Sequence, residues 1–249
     1  AMPIPPKVWD GGGANNNLNT ANNWRFNEAP RKFDTLLFAG ATRLTPNNDF
    51  TAYTEFRSLV FSNNAGAFTL GGNAISLGSG VSNASPNVQT LNVNLDFSFG
   101  LDHYTTERRF EVSDANGSLV LNGSILGTTN GYNRPYAIYK TGPGRLTLNG
   151  AGFATLGGST NNFHGTLNFN GGLVRFNHAT NLGTADLAFD GGGLQWASGN
   201  TADISVGNNV NIQSNGAILD VGANVVTFAN RIGNSGAGGL TKLGAGTLT

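Results

Sequence analysis

Through the second half of the chain, apolar and polar residues alternate in short runs that break at glycine-rich corners. Gly165-Thr-Leu-Asn-Phe-Asn-Gly-Gly-Leu-Val-Arg-Phe-Asn177, Thr184-Ala-Asp-Leu-Ala-Phe-Asp-Gly-Gly-Gly-Leu-Gln-Trp196 and Asn209-Val-Asn-Ile-Gln-Ser-Asn-Gly-Ala-Ile-Leu-Asp-Val221 each hold two such runs around one corner. A period of two gives a strand one apolar face, so each phrase predicts strand, turn, strand. An Asn-Gly or Asp-Gly corner is a hairpin signal and would suit an antiparallel sandwich or barrel. Similar corners return every 20 to 25 residues with no helix between them. That spacing favours a solenoid, in which each coil stacks its strands on the coil before. Such a coil cannot bury its apolar residues alone, whereas stacked coils set Leu over Leu and Phe over Phe. The expected interior includes Leu167, Phe169, Leu173, Phe176, Leu187, Phe189, Leu194, Val210, Ile212, Ile218 and Leu219. Corner asparagines are expected to bond up and down a ladder at the strand spacing of about 4.8 Å, and about eleven coils would make a rod on the order of 50 Å long.

One phrase occurs twice. Ile138-Tyr-Lys-Thr-Gly-Pro-Gly-Arg-Leu-Thr-Leu148 and Leu240-Thr-Lys-Leu-Gly-Ala-Gly-Thr-Leu-Thr249 share the order lysine, any residue, glycine, any residue, glycine, any residue, leucine, threonine. Both resemble the autotransporter-associated β-strand repeat, also called the passenger-associated transport repeat. Asn162-Phe-His-Gly-Thr-Leu-Asn-Phe-Asn-Gly-Gly-Leu-Val-Arg-Phe176 with Asn181-Leu-Gly183 is similar to the rest of that repeat, so the resemblance runs from about Tyr139 to Thr249. The opening, with Val8-Trp-Asp-Gly-Gly-Gly13, Asn22-Asn-Trp24 and Asp34-Thr-Leu-Leu-Phe38, resembles the start of large bacterial surface proteins that carry the repeat. The resemblance implies a right-handed parallel β-helix, exported to the cell surface or beyond it, and the repeat itself implies no enzyme activity. Residues 1–40 are then expected to form an N-terminal cap contiguous with the solenoid, with Trp9 and Trp24 sealing its end, and residues 41–249 the β-helix. Ala1-Met-Pro reads as a cloning remnant, and a targeting segment and further repeats are expected to lie outside this sequence.

Composition agrees with short strands and turns. The 37 glycines and 35 asparagines, with 11% charged residues and one methionine, are poor material for helices. The same bias could mean a disordered tract, but 16 phenylalanines recurring in alternating contexts argue for an ordered core. Fourteen basic residues balance fourteen acidic ones, so no global field draws nucleic acid or an anionic membrane. No apolar run is long enough to span a bilayer as a helix. The absence of cysteine excludes disulfides and thiolate metal sites.

Candidate chemistry is sparse. Gly142-Pro-Gly144 and Gly244-Ala-Gly246 are read as turn glycines rather than a phosphate loop, because no helix follows them. Beyond Gly150 the only acids are Asp186, Asp190, Asp203 and Asp220, most of them beside turns, where aspartate bonds its own backbone. His103, His164 and His178 have no ligand partner at the usual spacing. No catalytic residue, metal or cofactor is expected. The segment Leu101-Asp-His-Tyr-Thr-Thr-Glu-Arg-Arg-Phe-Glu-Val-Ser-Asp114 differs, holding two of the four glutamates and two of the ten arginines in fourteen residues. It reads either as a solvated strand pair with cross-strand charges or as a polar binding patch of Tyr104, Glu107, Arg108 and Arg109. Trp196 is expected to face outward and could stack on a sugar. The leading expectation is a monomeric, non-enzymatic stalk or passenger for display or adhesion, with a polysaccharide or other surface glycan as partner. The alternatives are a carbohydrate-binding module and a polysaccharide hydrolase or lyase.

Overall fold

The computed structural model describes residues 5–97, 107–126, 137–150, 153–154, 165–233 and 237–249. Among them the only helical elements are three short 3-10 turns, at Ala21–Asn23, Arg25–Asn27 and Ala179–Leu182. All the paired strands run parallel, as the repeat spacing predicts, and the chain folds as a parallel β-helix. The first stack orders Lys7–Trp9, Thr35–Phe38, Thr54–Phe61, Ile75–Asn83, Glu107–Val112, Ala137–Thr141, Thr166–Phe169, Asp186–Phe189 and Val210–Ile212. The second orders Asn47–Asn48, Thr69–Gly72, Val88–Leu91, Ser118–Leu121, Arg145–Leu148, Leu173–Phe176, Gly193–Trp196, Ala217–Asp220 and Leu240–Leu243. Shorter ladders form a third side, at Leu95–Asp96, Ile125–Leu126 and Phe153–Ala154, and at Val225–Val226 with Thr247–Leu248.

Each chain segment thus leaves one stack, turns a glycine corner and enters the next, and the inward residues of all sides meet in one apolar core. In the second stack Leu70, Leu91, Leu121, Leu148, Phe176 and Trp196 lie in register, one per coil. In the first, Phe169 stacks on Phe189 with ring centroids 4.6 Å apart. Of the residues expected inside, Leu173 and Ile218 are half-buried on the outer face, since Val174 and Phe176 take the inward parity of one strand and Ala217 and Leu219 that of the other.

Coil length varies more than the corners suggest. Phe110, Lys140 and Phe169 lie in register at separations of 30 and 29 residues, whereas Phe189 follows Phe169 by 20. The shorter coil turns through the 3-10 segment Ala179–Leu182, where Asn181 Oδ1 accepts from the amides of Asn177 and His178. The expected amide ladder is present. Asn122 donates to Asn92 at 2.7 Å, Asn149 to Asn122 at 3.0 Å and Asn177 to Asn149 at 2.9 Å.

At the N-terminal end, Lys7–Trp9 extends the first stack by pairing with Thr35–Phe38. Trp9 and Trp24 are buried edge to face at 5.2 Å, and both reach Phe38 at 6.0 Å. The Trp24 indole donates to Leu18 O at 2.7 Å, which settles its buried N–H.

Candidate functional site

Strand alternation decides which polar side chains reach solvent. In Glu107–Val112 the apolar Phe110 and Val112 point inward, so Arg108 shares their side and Arg109 and Glu111 take the other. Arg108 is 0% exposed, in register with the inward Ile138 of the next coil. It therefore belongs to the interior and is no part of an exposed patch. Tyr104 lies outside the described residues, and Glu107 is described only as the first residue of the strand.

Trp196, expected to face outward, is buried instead. Gly193–Trp196 buries Leu194 and, two residues on, Trp196, which is 2% exposed. Its ring meets Phe176 at 5.0 Å and its Nε1 donates to Ala202 O at 2.9 Å. An indole held this way offers no face to a sugar.

Arg109 is exposed, and its guanidinium carbon sits 5.4 Å from the Tyr139 ring centroid, one coil further on. Ala137–Thr141 puts Ile138 and Lys140 inside and Tyr139 outside, so the cation and the ring share the outer face of the first stack. Glu111 and Thr141 pair in register beside them, and Asn168 follows Tyr139 in the next coil. The arrangement offers a half-exposed aromatic ring, an arginine, a carboxylate and an amide on one rigid sheet. Tyr139 was not among the residues expected in a site. Its signal was the parity of Ile138, which turns Tyr139 toward the same side as Arg109.

Lys140 shows what an inward cation can do in this fold. It lies in the core column between Phe110 and Phe169, 3% exposed, and its stem runs to the corner. There Nζ donates to Thr141 O at 2.9 Å, Gly142 O at 2.7 Å and Gly171 O at 2.9 Å. Burial pushes its pKa down to about 8, with Glu111 opposing the shift. All three ammonium donors are matched by carbonyls of its own corner and the next coil, which is a structural arrangement.

Asp203 and Asp220 each accept an amide two residues on in their own turn, whereas Asp190 reaches the next coil. Asp190 Oδ1 accepts from the Asn215 amide and side chain. Asp220 accepts from the Gly222 amide and Gln195 Nε2. Burial alone would raise the Asp203 carboxyl, but bonds from the Ser205 hydroxyl and the Ala229 and Ser205 amides outweigh it and hold the group below its ordinary value. Among the described residues no three of His, Cys, Asp and Glu cluster to hold a metal ion, and no helix is long and apolar enough to cross a membrane.

No family model matches the chain, nor does any curated protein or solved structure.

Proposed function

We propose that this chain is a non-enzymatic, β-helical segment of an exported bacterial surface protein, a stalk that holds out or spaces what it carries and serves display or adhesion. The observation behind this reading is the continuous parallel stacking from Lys7 to Leu248, with one apolar core inside it. Each coil leans on its neighbours, so the assembly behaves as a rod rather than a linker. The likeness of the two lysine-glycine phrases to the autotransporter-associated repeat supports the surface assignment. Because the chain has no cysteine, spin labels can be placed at Lys32→Cys and Thr247→Cys alone. The expected result is a single narrow distance distribution on the order of 40 Å, given eight or so coil steps. A broad distribution would overturn the spacer reading.

A second reading, a carbohydrate-binding surface, is favoured by Arg109 over Tyr139. An aromatic ring covers the apolar face of a pyranose while arginine and amide groups bond its hydroxyls. On a glycan array, Tyr139→Ala with Arg109→Ala should lower binding to any retained glycan at least tenfold and leave the melting temperature nearly unchanged. Equal binding by the double variant would remove this surface from consideration.

A further inference from the structure

The outer face of the second stack carries a separate group of polar residues. In Arg145–Leu148, Leu146 and Leu148 point inward, and in Leu173–Phe176, Val174 and Phe176 do so. Arg145 and Arg175 therefore both point outward, on adjacent coils, Arg145 exposed and Arg175 half-buried. Thr147, Arg175, Gln195 and Asp220 succeed one another in a single outward column. Arg145 starts in the neighbouring column, below Leu173 and Gly193.

Arg145 does not stay in its own column. Its Nη1 reaches Gln195 Oε1 at 3.5 Å, the residue directly beyond Arg175 and two coils beyond Arg145. The side chain must therefore cross the outside of Leu173–Phe176, the strand that bears Arg175, and the side-chain-free Gly193 leaves room on the far side. Arg145 is thus brought over the column that bears Arg175.

Among the described residues, neither arginine is in an ion pair with an acid. The nearest carboxylate in the column, Asp220, has one oxygen on Gln195 Nε2 at 2.7 Å and the other on the Gly222 amide at 3.0 Å. Among the described residues, the Arg175 guanidinium makes no hydrogen bond or ion pair, and Arg145 makes only the long contact to a neutral amide. Like charges side by side are unfavourable unless an anion lies between them, and guanidinium forks match the paired oxygens of carboxylate and sulfate.

We propose that Arg145 and Arg175 form an oxyanion site on the outer face of the second stack, which takes a carboxylate or sulfate group borne by an acidic polysaccharide. Gln195 lies next in the column after Arg175, its Oε1 3.5 Å from Arg145 Nη1 and its Nε2 donating to Asp220. The site is distinct from Arg109 and Tyr139, and it stands whether or not the chain serves display or adhesion.

The test measures binding of the purified chain to immobilised dextran sulfate in low-salt buffer, with neutral dextran alongside and inorganic sulfate as competitor. The parent should bind dextran sulfate and not dextran. Arg145→Gln and Arg175→Gln should each weaken binding at least fivefold and together at least twentyfold, whereas Arg57→Gln, at an exposed arginine of the first stack, should stay within twofold. Arg175→Lys, which keeps the charge but not the fork, should lose at least threefold, and this variant reports on geometry even if a glutamine variant folds poorly. Competition by inorganic sulfate at the concentration of polymer-borne sulfate would reassign the ligand from the polysaccharide to the free ion. Failure to bind dextran sulfate, or a folded Arg145→Gln/Arg175→Gln chain that binds as the parent does, would overturn the site.

Discussion

The two lysine-glycine phrases have the same local form and different surroundings. Ile138 to Leu148 turns from the first stack to the second, whereas Leu240 to Thr249 turns from the second stack to the third side. In both, the first glycine takes a left-handed conformation, φ +77° at Gly142 and +82° at Gly244. In both, the lysine has inward parity and donates to that glycine's carbonyl at 2.7 Å. What differs is the coil on top. Lys140 is covered by Phe169 and also bonds Gly171, whereas Lys242 lies over Leu219 with nothing beyond it among the described residues and is exposed. The phrase therefore encodes a corner and not a particular face, and the burial of its lysine comes from the neighbour.

The largest expected effect separates the corners by their glycines. A Cβ on Gly142 would sit 2.3 Å from Val112 O and require a strained φ, and one on Gly244 would sit 2.4 Å from the Gly222 backbone. Gly142→Ala, clamped between two coils, should cost about 3 kcal/mol or more in urea unfolding. Gly244→Ala, on an edge that can move outward, should cost about half as much. Equal costs would mean that the covering coil adds nothing to the corner.

The pH dependence of the two lysines is the next contrast. The folded pKa of Lys140, about 8, lies below its ordinary 10.5, so between those values the unfolded chain holds a proton that the folded chain has lost. Stability contributed by this group should be flat below pH 8 and rise by up to about 3 kcal/mol toward pH 10.5. Lys140→Met should abolish that rise, and Lys242→Met should leave it in place. A parent whose stability falls across this window in step with Lys140→Met would contradict the assignment.

The smallest effect concerns how each phrase ends. Asn149 follows the first copy and bonds Asn122 and Asn177, whereas Thr249, the second copy's counterpart of Thr147, ends that copy with one side-chain hydroxyl bond to Thr227 at 2.9 Å. Asn149→Ala should cost about 1 kcal/mol and Thr249→Ala a few tenths, as read from paired denaturant midpoints.

Much of this was legible from alternation. The parallel stacking, the amide ladder and the own-turn bonds of Asp203 and Asp220 follow from residue type and spacing, whereas Asp190 bonds Asn215 of the next coil. The candidate site was legible only in part, because composition drew attention to the charged segment while parity carried the answer. Phe110 and Val112 put Arg108 inside, Ile138 put Lys140 inside, and Leu194 put Trp196 inside, each by counting two residues. Residue type argued otherwise, since arginine and lysine are rarely buried. What makes Lys140 tolerable, a ring of carbonyls from two coils, depends on Gly171 lying 31 residues away. The approach of Arg145 to Gln195 across an intervening strand depends in the same way on register, and coil lengths of 20 to 30 residues hide that register from the sequence.

The amide ladder from Asn92 to Asn177 has one further property. In every rung the NH2 group faces the earlier coil and the carbonyl oxygen the later one. The four amide dipoles therefore point the same way and reinforce one another over about 14 Å, the span of three coil steps. One corner of the rod is electrically polarised along the axis, with partial positive charge toward Asn92 and partial negative charge toward Asn177. A chain whose formal charges sum to zero thus carries a built-in vector, set by uncharged side chains.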